Sequence, residues 1–271
     1  MVTAGDRLDA LTFFGPRCDR VRVMPFLDGV PCSIHGIVLP DGTAAFRPVE
    51  LAIMRGEGRR FVYGGQGTTW DPPDADREEM RDLARRTGEH LRGRVGYRGG
   101  FGIDGVLTVD GFRPTELNTR MSGGLSTLAQ GVDPAAFTLL GIACVAGHDP
   151  GVTVAELEAW ALPAMDGTRV AKAIAMSARR LGDDTVDLPV RWDGAALHLA
   201  SAGPDADAAA DATVMVGPSA VGSYAKVNGD LLHRGDRLAT LNAALLRFLD
   251  AELDAGFGEV EIPPDLRTPS V

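Results

Sequence analysis

Glu116, Asn118 and Arg120 alternate in the run Glu116-Leu117-Asn118-Thr119-Arg120, ahead of Met121-Ser122-Gly123-Gly124. On a strand, successive side chains point to opposite faces, so these three would project from the same one. That face would carry a carboxylate, an amide oxygen and a fixed cation. The glycine pair beyond it would let backbone approach a ligand closely. A second acid, Asp104, lies twelve residues before Glu116, with Asp110-Gly111 between them as a hairpin signal.

Register decides whether the two carboxylates meet. A two-residue turn at Asp110-Gly111 sets Asp104 opposite Leu117, on the wrong face. A three-residue loop, Val109-Asp110-Gly111 with Gly111 left-handed, sets Thr108 opposite Phe112 and Asp104 opposite Glu116. Like charges directly opposed repel unless something cationic lies between them. The spacing therefore predicts the three-residue loop and a divalent cation between the carboxylates. Oxygen ligands with an open side suit Mg²⁺, which takes one or two carboxylates, keeps waters and completes its shell with substrate phosphates. Arg120 would contact those phosphates with its planar fork. The plainer alternative is a solvent-facing hairpin with unrelated charges.

At these residues the sequence resembles the ATP-grasp superfamily, whose magnesium signature is an acidic residue, a hairpin, then Glu-x-Asn. The run Glu-Leu-Asn-Thr-Arg is most similar to the biotin carboxylase and carbamoyl-phosphate branch, and weaker similarity extends from about Val21 to Ala129. The resemblance implies that Asp104, Glu116 and Asn118 hold magnesium and that Arg120 touches phosphate and is catalytic. Val23-Met24-Pro25-Phe26-Leu27-Asp28-Gly29 resembles the hinge whose backbone holds adenine, which makes Met24, Pro25, Phe26 and Leu27 the nucleotide contacts. Relatives carry Glu where Met24 stands and a further acid for ribose near Pro31; both are absent here. The implied cofactors are ATP and Mg²⁺. The implied activity is ligation of a carboxylate to an amine or similar nucleophile through an acylphosphate, with Ser122, Gly123 and Gly124 lining the acyl-phosphate end.

Complete ATP-grasp enzymes clasp ATP between two lobes, and the smaller one precedes the hinge and supplies lysines. Only about twenty residues precede Val21 and none is lysine. The chain thus resembles the second half of such an enzyme. It is expected to be one piece of a split enzyme with a partner chain supplying the lysine lobe, a truncated stretch, or a degenerate relative. A non-catalytic binding or interaction module on a remnant ATP-grasp scaffold is the alternative function.

Composition bounds the rest. A net charge of -10 argues against nucleic acid or an anionic membrane as partner, since both need clustered excess Lys and Arg. No stretch approaches eighteen apolar residues and the start lacks a signal pattern, so a cytoplasmic location is expected. Cys18, Cys32 and Cys144 are odd in number and widely spaced, suggesting neither disulfides nor zinc, with Cys144 packing in an apolar helix. The chain has only two lysines, Lys172 and Lys226, both after the signature; arginine supplies the other basic side chains.

The expected fold class is α+β: an antiparallel sheet flanked by helices over residues 1–150, then a mixed β-rich unit ending in a helix over 151–271. Patterning predicts a short helix at Asp6 to Phe14 and strands at Val21 to Met24, Cys32 to Leu39 and Thr43 to Ile53. Arg47, Glu50, Arg55, Arg59 and Arg60 flank the next loop and read mostly as solvated surface, with one able to face phosphate or a substrate carboxylate. Tyr63 to Trp70 reads as a glycine-rich loop able to close over a site. His35 reads as a satisfied structural histidine. Asp74 is expected to cap a helix from Ala75 to Arg92, and Pro114 implies an edge or irregular ladder. Asp133-Pro134 opens an apolar helix to Ala146, and Thr153 with Glu156 forms a capping box. Strands follow at Arg169 to Met176, Val186 to Trp192, Ala195 to Ser201, Thr213 to Gly217 and Ser223 to Val227. A flexible loop is expected at Gly203 to Ala212, and a helix at Arg237 to Asp254.

Overall fold

A computed structural model describes residues 24–200 and 210–267, with only the backbone of Arg59. The helix expected at Asp6 to Phe14, most of the strand at Val21 to Met24 and most of the loop at Gly203 to Ala212 lie outside the described residues. From Met24 onward the backbone is irregular up to Val30.

The chain builds one antiparallel sheet. Its strands are β1 (Val30–Val38), β2 (Thr43–Ala45), β3 (Val49–Gly56), β4 (Phe61–Gly67), β5 (Gly99–Thr108), β6 (Gly111–Asn118), β7 (Ala171–Ser177), β8 (Val186–Trp192), β9 (Leu197–Leu199), β10 (Ala212–Ser219), β11 (Gly222–Asn228) and β12 (Val260–Glu261). The order across it is β6-β5-β1-β3-β4-β7-β11-β10-β8-β9, with β2 on β1 and β12 on β3. The helices are α1 (Asp74–Val95), α2 (Gly123–Leu128), α3 (Pro134–Val145), α4 (Val154–Gly167) and α5 (Leu238–Leu253). This is the α+β arrangement expected from the sequence. Among the described residues no helix is long and apolar enough to cross a membrane.

The two faces of the sheet are covered unequally, and this places the site. On one face α1 packs Met80 and Ala84 against Val30, Cys32 and Ile34. On that same face α5 packs Leu238, Leu241 and Leu245 against Ala52, Met54, Ala173 and Ala175. The opposite face carries Ile37 and Val49, and α2, α3 and α4 cover that end with Leu125, Leu128, Phe137 and Leu157. Beyond α2 this second face is open. Its exposed residues include Phe61 and Tyr63 on β4 and Met176 on β7.

The strand β7 pairs with β4, so strands from before and after residue 150 share the sheet. The buried cluster under α5 draws on both stretches.

Several expectations are corrected. The strand from Thr43 to Ile53 is broken at Phe46-Arg47-Pro48, because Arg47 turns inward to ion-pair with Asp71 and Asp166. Tyr63 to Gly67 is not a closing loop but strand β4, paired on both edges; Gly65, at φ +114°, sits where the β3–β4 register shifts. Asp74 is the first residue of α1 rather than its cap, which is Pro73. The capping box of Thr153 and Glu156 and the Asp133 cap form as the sequence predicts.

Candidate functional site

The β5–β6 hairpin brings the two carboxylates together by an unexpected route. Its turn holds two residues, Val109 and Asp110, with Thr108 opposite Gly111 and Leu107 opposite Phe112. The three-residue loop is therefore absent, although Gly111 does have positive φ, at +95°. The extra residue sits farther down the ladder. Gly105 pairs with Pro114 and Asp104 with Glu116, which leaves Thr115 as an inserted residue in a bulge. Pro114 has no N–H to give the ladder, and β6 is the edge strand, so the irregularity falls where it disturbs least. Beyond the bulge, Leu117 faces Ile103 and Asn118 faces Gly102. Asp104, Glu116 and Asn118 thus share one face, the open one.

Asp104 is half-buried. Its carboxyl is held above the usual carboxylate range, first by burial and then by the Glu116 carboxylate. Arg120 and the hydrogen bond from Asn118 pull the other way. Asn118 Nδ2 donates to Asp104 Oδ2 at 3.1 Å, and Arg120 Nη2 donates to Asn118 Oδ1 at 3.2 Å. Two carboxylates and an amide are hard oxygen donors of the kind magnesium takes, and their mutual repulsion is what a cation would relieve. In that state the Asn118 amide would present its oxygen inward, a turn of the side chain that exchanges the Asp104 contact for the ion. The donor set fits. Among the described residues no three of His, Cys, Asp and Glu gather as a metal site.

A pocket of about 570 Å³ opens beside this pair. Met24, Pro25, Phe26 and Leu27 form one wall, Asp104 and Glu116 another, and Leu51 and Ile53 the floor. Phe26 stacks on Phe61 with ring centroids 6.2 Å apart, and the Arg55 guanidinium lies 4.9 Å over the Phe26 ring. The expected adenine hinge and the expected metal carboxylates therefore line the same cavity.

Asn118, Arg120 and Ser122 to Gly124 lie outside that lining. The Ser122 hydroxyl accepts from Leu125 N at 3.4 Å and caps α2. The glycines there meet protein. A Cβ at Gly124 would stand 2.1 Å from the His35 ring, and one at Gly123 2.8 Å from the Gln66 amide. His35 is buried, as expected, but not satisfied: its Nδ1 has no hydrogen-bond partner, and burial lowers its pKa to about 3.

Of the arginines and glutamate around the β3–β4 connection, Arg47 is locked in ion pairs and Glu50 is fully buried against Arg237. Of those whose side chains are described, Arg55 reaches the pocket. Sequence reasoning placed Tyr63 only at the start of a closing loop; on β4 its phenol is raised above its usual pKa by burial and by the Asp104 charge. Sequence reasoning missed Pro263 and Pro264, which close the pocket from the far end of the chain. Nothing local marks these two prolines; β12 pairing with β3 brings them there.

The sequence matches no protein-family model, and no curated protein is similar to it. Solved structures do resemble the fold. The N5-carboxyaminoimidazole ribonucleotide synthetase of Thermus thermophilus is 14% identical at TM-score 0.45, covering 97% of this chain and 59% of that one. The phosphoribosylglycinamide synthetase of Anaerococcus prevotii is 11% identical at 0.43, covering 96% and 60%. The biotin carboxylase domain of a single-chain bacterial carboxylase is 18% identical at 0.44, covering 89% and 50%. All three are ATP-grasp enzymes. The chain spans half to six-tenths of their lengths. These are loose likenesses of fold, with TM-scores under 0.5, and the functional reading rests on the residues of this chain.

Proposed function

We propose that this chain is part of an ATP- and magnesium-dependent ligase of the ATP-grasp type, joining a carboxylate to an amine or similar nucleophile. The observation that supports it is the single pocket shared by Met24 to Leu27 and by Asp104 and Glu116. The backbone of Met24, Pro25, Phe26 and Leu27 would take adenine. A magnesium ion held by Asp104, Glu116 and Asn118 would neutralise phosphate charge. Arg120, two residues beyond Asn118 at an exposed position, would bind the transferring phosphoryl oxygens and balance the charge that builds on them. A substrate carboxylate oxygen would displace ADP from the γ-phosphorus, giving an acylphosphate near Ser122, Gly123 and Gly124. Attack by the amine on the acyl carbon would then expel inorganic phosphate.

The test is magnesium-dependent ATP binding by the purified chain, alone and with a lysine-bearing small lobe supplied as a second chain. Binding alone is expected to be weak, to tighten with the lobe, and to fall by roughly tenfold or more, about 1.4 kcal/mol, in Glu116→Gln. Binding indifferent to magnesium or to Glu116→Gln would sink the reading. A second reading, a non-catalytic module on the same scaffold, is favoured by the lack of the acids that relatives carry at the Met24 position and near Pro31. It predicts magnesium-dependent binding with no ADP released when the small lobe and candidate acids are supplied.

A further inference from the structure

Both lysines of the chain fall on one patch of the open sheet face. Leu51 pairs with Gln66, and Gln66 with Lys172, so these three form a row on the face that carries Asp104. Leu51 belongs to the pocket floor, which puts Lys172 two strand spacings, about 10 Å, from it. On the next strand Lys226 pairs with Ile174, two residues along from Lys172. Lys172 and Lys226 are therefore diagonal neighbours on one face, with Cα positions about 7–8 Å apart.

Among the described residues no carboxylate or other acceptor hydrogen-bonds or ion-pairs with Lys172 or Lys226. Along the row from Lys226 the pairing runs through Met215 to Asp187, so the first carboxylate there is two strands away. The contrast with arginine is clear, since Arg47, Arg169 and Arg237 each ion-pair with at least one carboxylate. Both lysines are only partly exposed, and burial alone pushes the Lys172 amine below its usual value. Partly buried ammonium groups with no acceptor among the described residues lose hydration, a cost an oxyanion placed between them would remove. Beside them, Gln66 Nε2 is fixed by donating to Thr127 Oγ1 at 2.9 Å, and the same amide lies against Gly123.

We propose that Lys172 and Lys226 together hold an oxyanion group of the acid substrate, at the end of the face away from Asp104. Resting on the ligase reading, this makes the substrate an acid with a second anionic group: one carboxylate reaches toward Gly123 for phosphorylation, and the other group, carboxylate or phosphate, sits between the lysines. Gln66 stands between the two ends.

Two lysines make the test direct. With lysine labelled by ¹³C at Cε, the whole chain gives two side-chain signals, and Lys172→Arg removes and so assigns one. Inorganic phosphate and succinate are titrated separately, against sodium chloride at matched ionic strength. Both signals are expected to shift saturably with a common Kd in the millimolar range, reported by Lys226 as roughly tenfold weaker or worse in Lys172→Met, about 1.4 kcal/mol. Preference for phosphate identifies a phosphorylated acid, and preference for succinate a dicarboxylic one. Shifts that match chloride, or a Lys226 titration unchanged in Lys172→Met, overturn the proposal. The titration uses no nucleotide, so its failure removes this site alone. Loss of magnesium-dependent ATP binding removes the ligase reading and leaves the oxyanion site standing.

Discussion

His35 shows what an unpartnered polar group does at the scale of one residue. Its ring is 1% exposed, wedged under Gly102 and Gly124, where an added Cβ would stand 2.8 and 2.1 Å from it. There is no room for a hydrated imidazolium. Burial holds the pKa near 3, so the folded protein keeps the ring neutral while the unfolded chain takes up a proton below about 6.5. Between those values the unfolded state binds more protons, so stability falls as pH falls, by at most about 1.4 kcal/mol per pH unit. Urea unfolding of the parent chain at pH 7 and pH 5 should show that loss, and His35→Gln should flatten it. Equal slopes in the two proteins would mean that His35 charges freely in the fold. The sequence could place His35 on a strand as a structural histidine, but not its orphan Nδ1. That depends on Gly124 arriving from another element. The acid pair was legible for a better reason. Parity of spacing requires one extra residue between Asp104 and Glu116 for them to face each other, whether it sits in the turn or, as found, at Thr115.

Elements meet here through groups that no local signal announces. The start of α5 has no capping side chain, for its N-cap is Arg237. Its orphan donors are met by Glu50 from β3, whose carboxylate accepts from Leu238 N at 2.7 Å and Ala239 N at 3.4 Å. The same carboxylate accepts from Arg237 Nε at 2.7 Å. Glu50 is 0% exposed, so it joins a strand and a helix nearly two hundred residues apart by a buried charge at a helix N-terminus. Read alone, Glu50 looked like solvated surface, because its partners arrive only with the tertiary fold. Glu50→Ala leaves Arg237 and two backbone donors without that acceptor and should cost about 3–5 kcal/mol, the usual penalty for breaking a buried pair. The change is expected as a lowered urea midpoint with an unaltered slope. A loss under about 1 kcal/mol would show water replacing the carboxylate.

The whole molecule is organised by the unequal covering of its sheet. Helices α1 and α5 cover one face and α2 to α4 only part of the other, so the uncovered part becomes a floor running from the β5–β6 hairpin toward Lys172 and Lys226. Composition changes character near residue 150, but the energetics need not divide there. The β4–β7 pairing carries the ladder across that point. Ala52 and Met54 are buried in the cluster under α5, and Arg169, Arg234 and Arg47 all converge on Asp71. Two of the three buried clusters draw on both stretches, so the chain should unfold as one cooperative unit. Its tryptophans report both stretches: Trp70 is buried at 2% exposed in the first, whereas Trp160 and Trp192 lie in the second. Chains keeping only Trp70 or only Trp192 should give urea transitions that coincide with each other and with the far-ultraviolet circular dichroism. A fragment ending at residue 150 should lack a cooperative transition. Separate midpoints would instead make residue 150 a true boundary. In that case the floor joining the carboxylates to the lysines would be assembled by docking two independently stable parts, and ligand affinity would depend on that docking equilibrium.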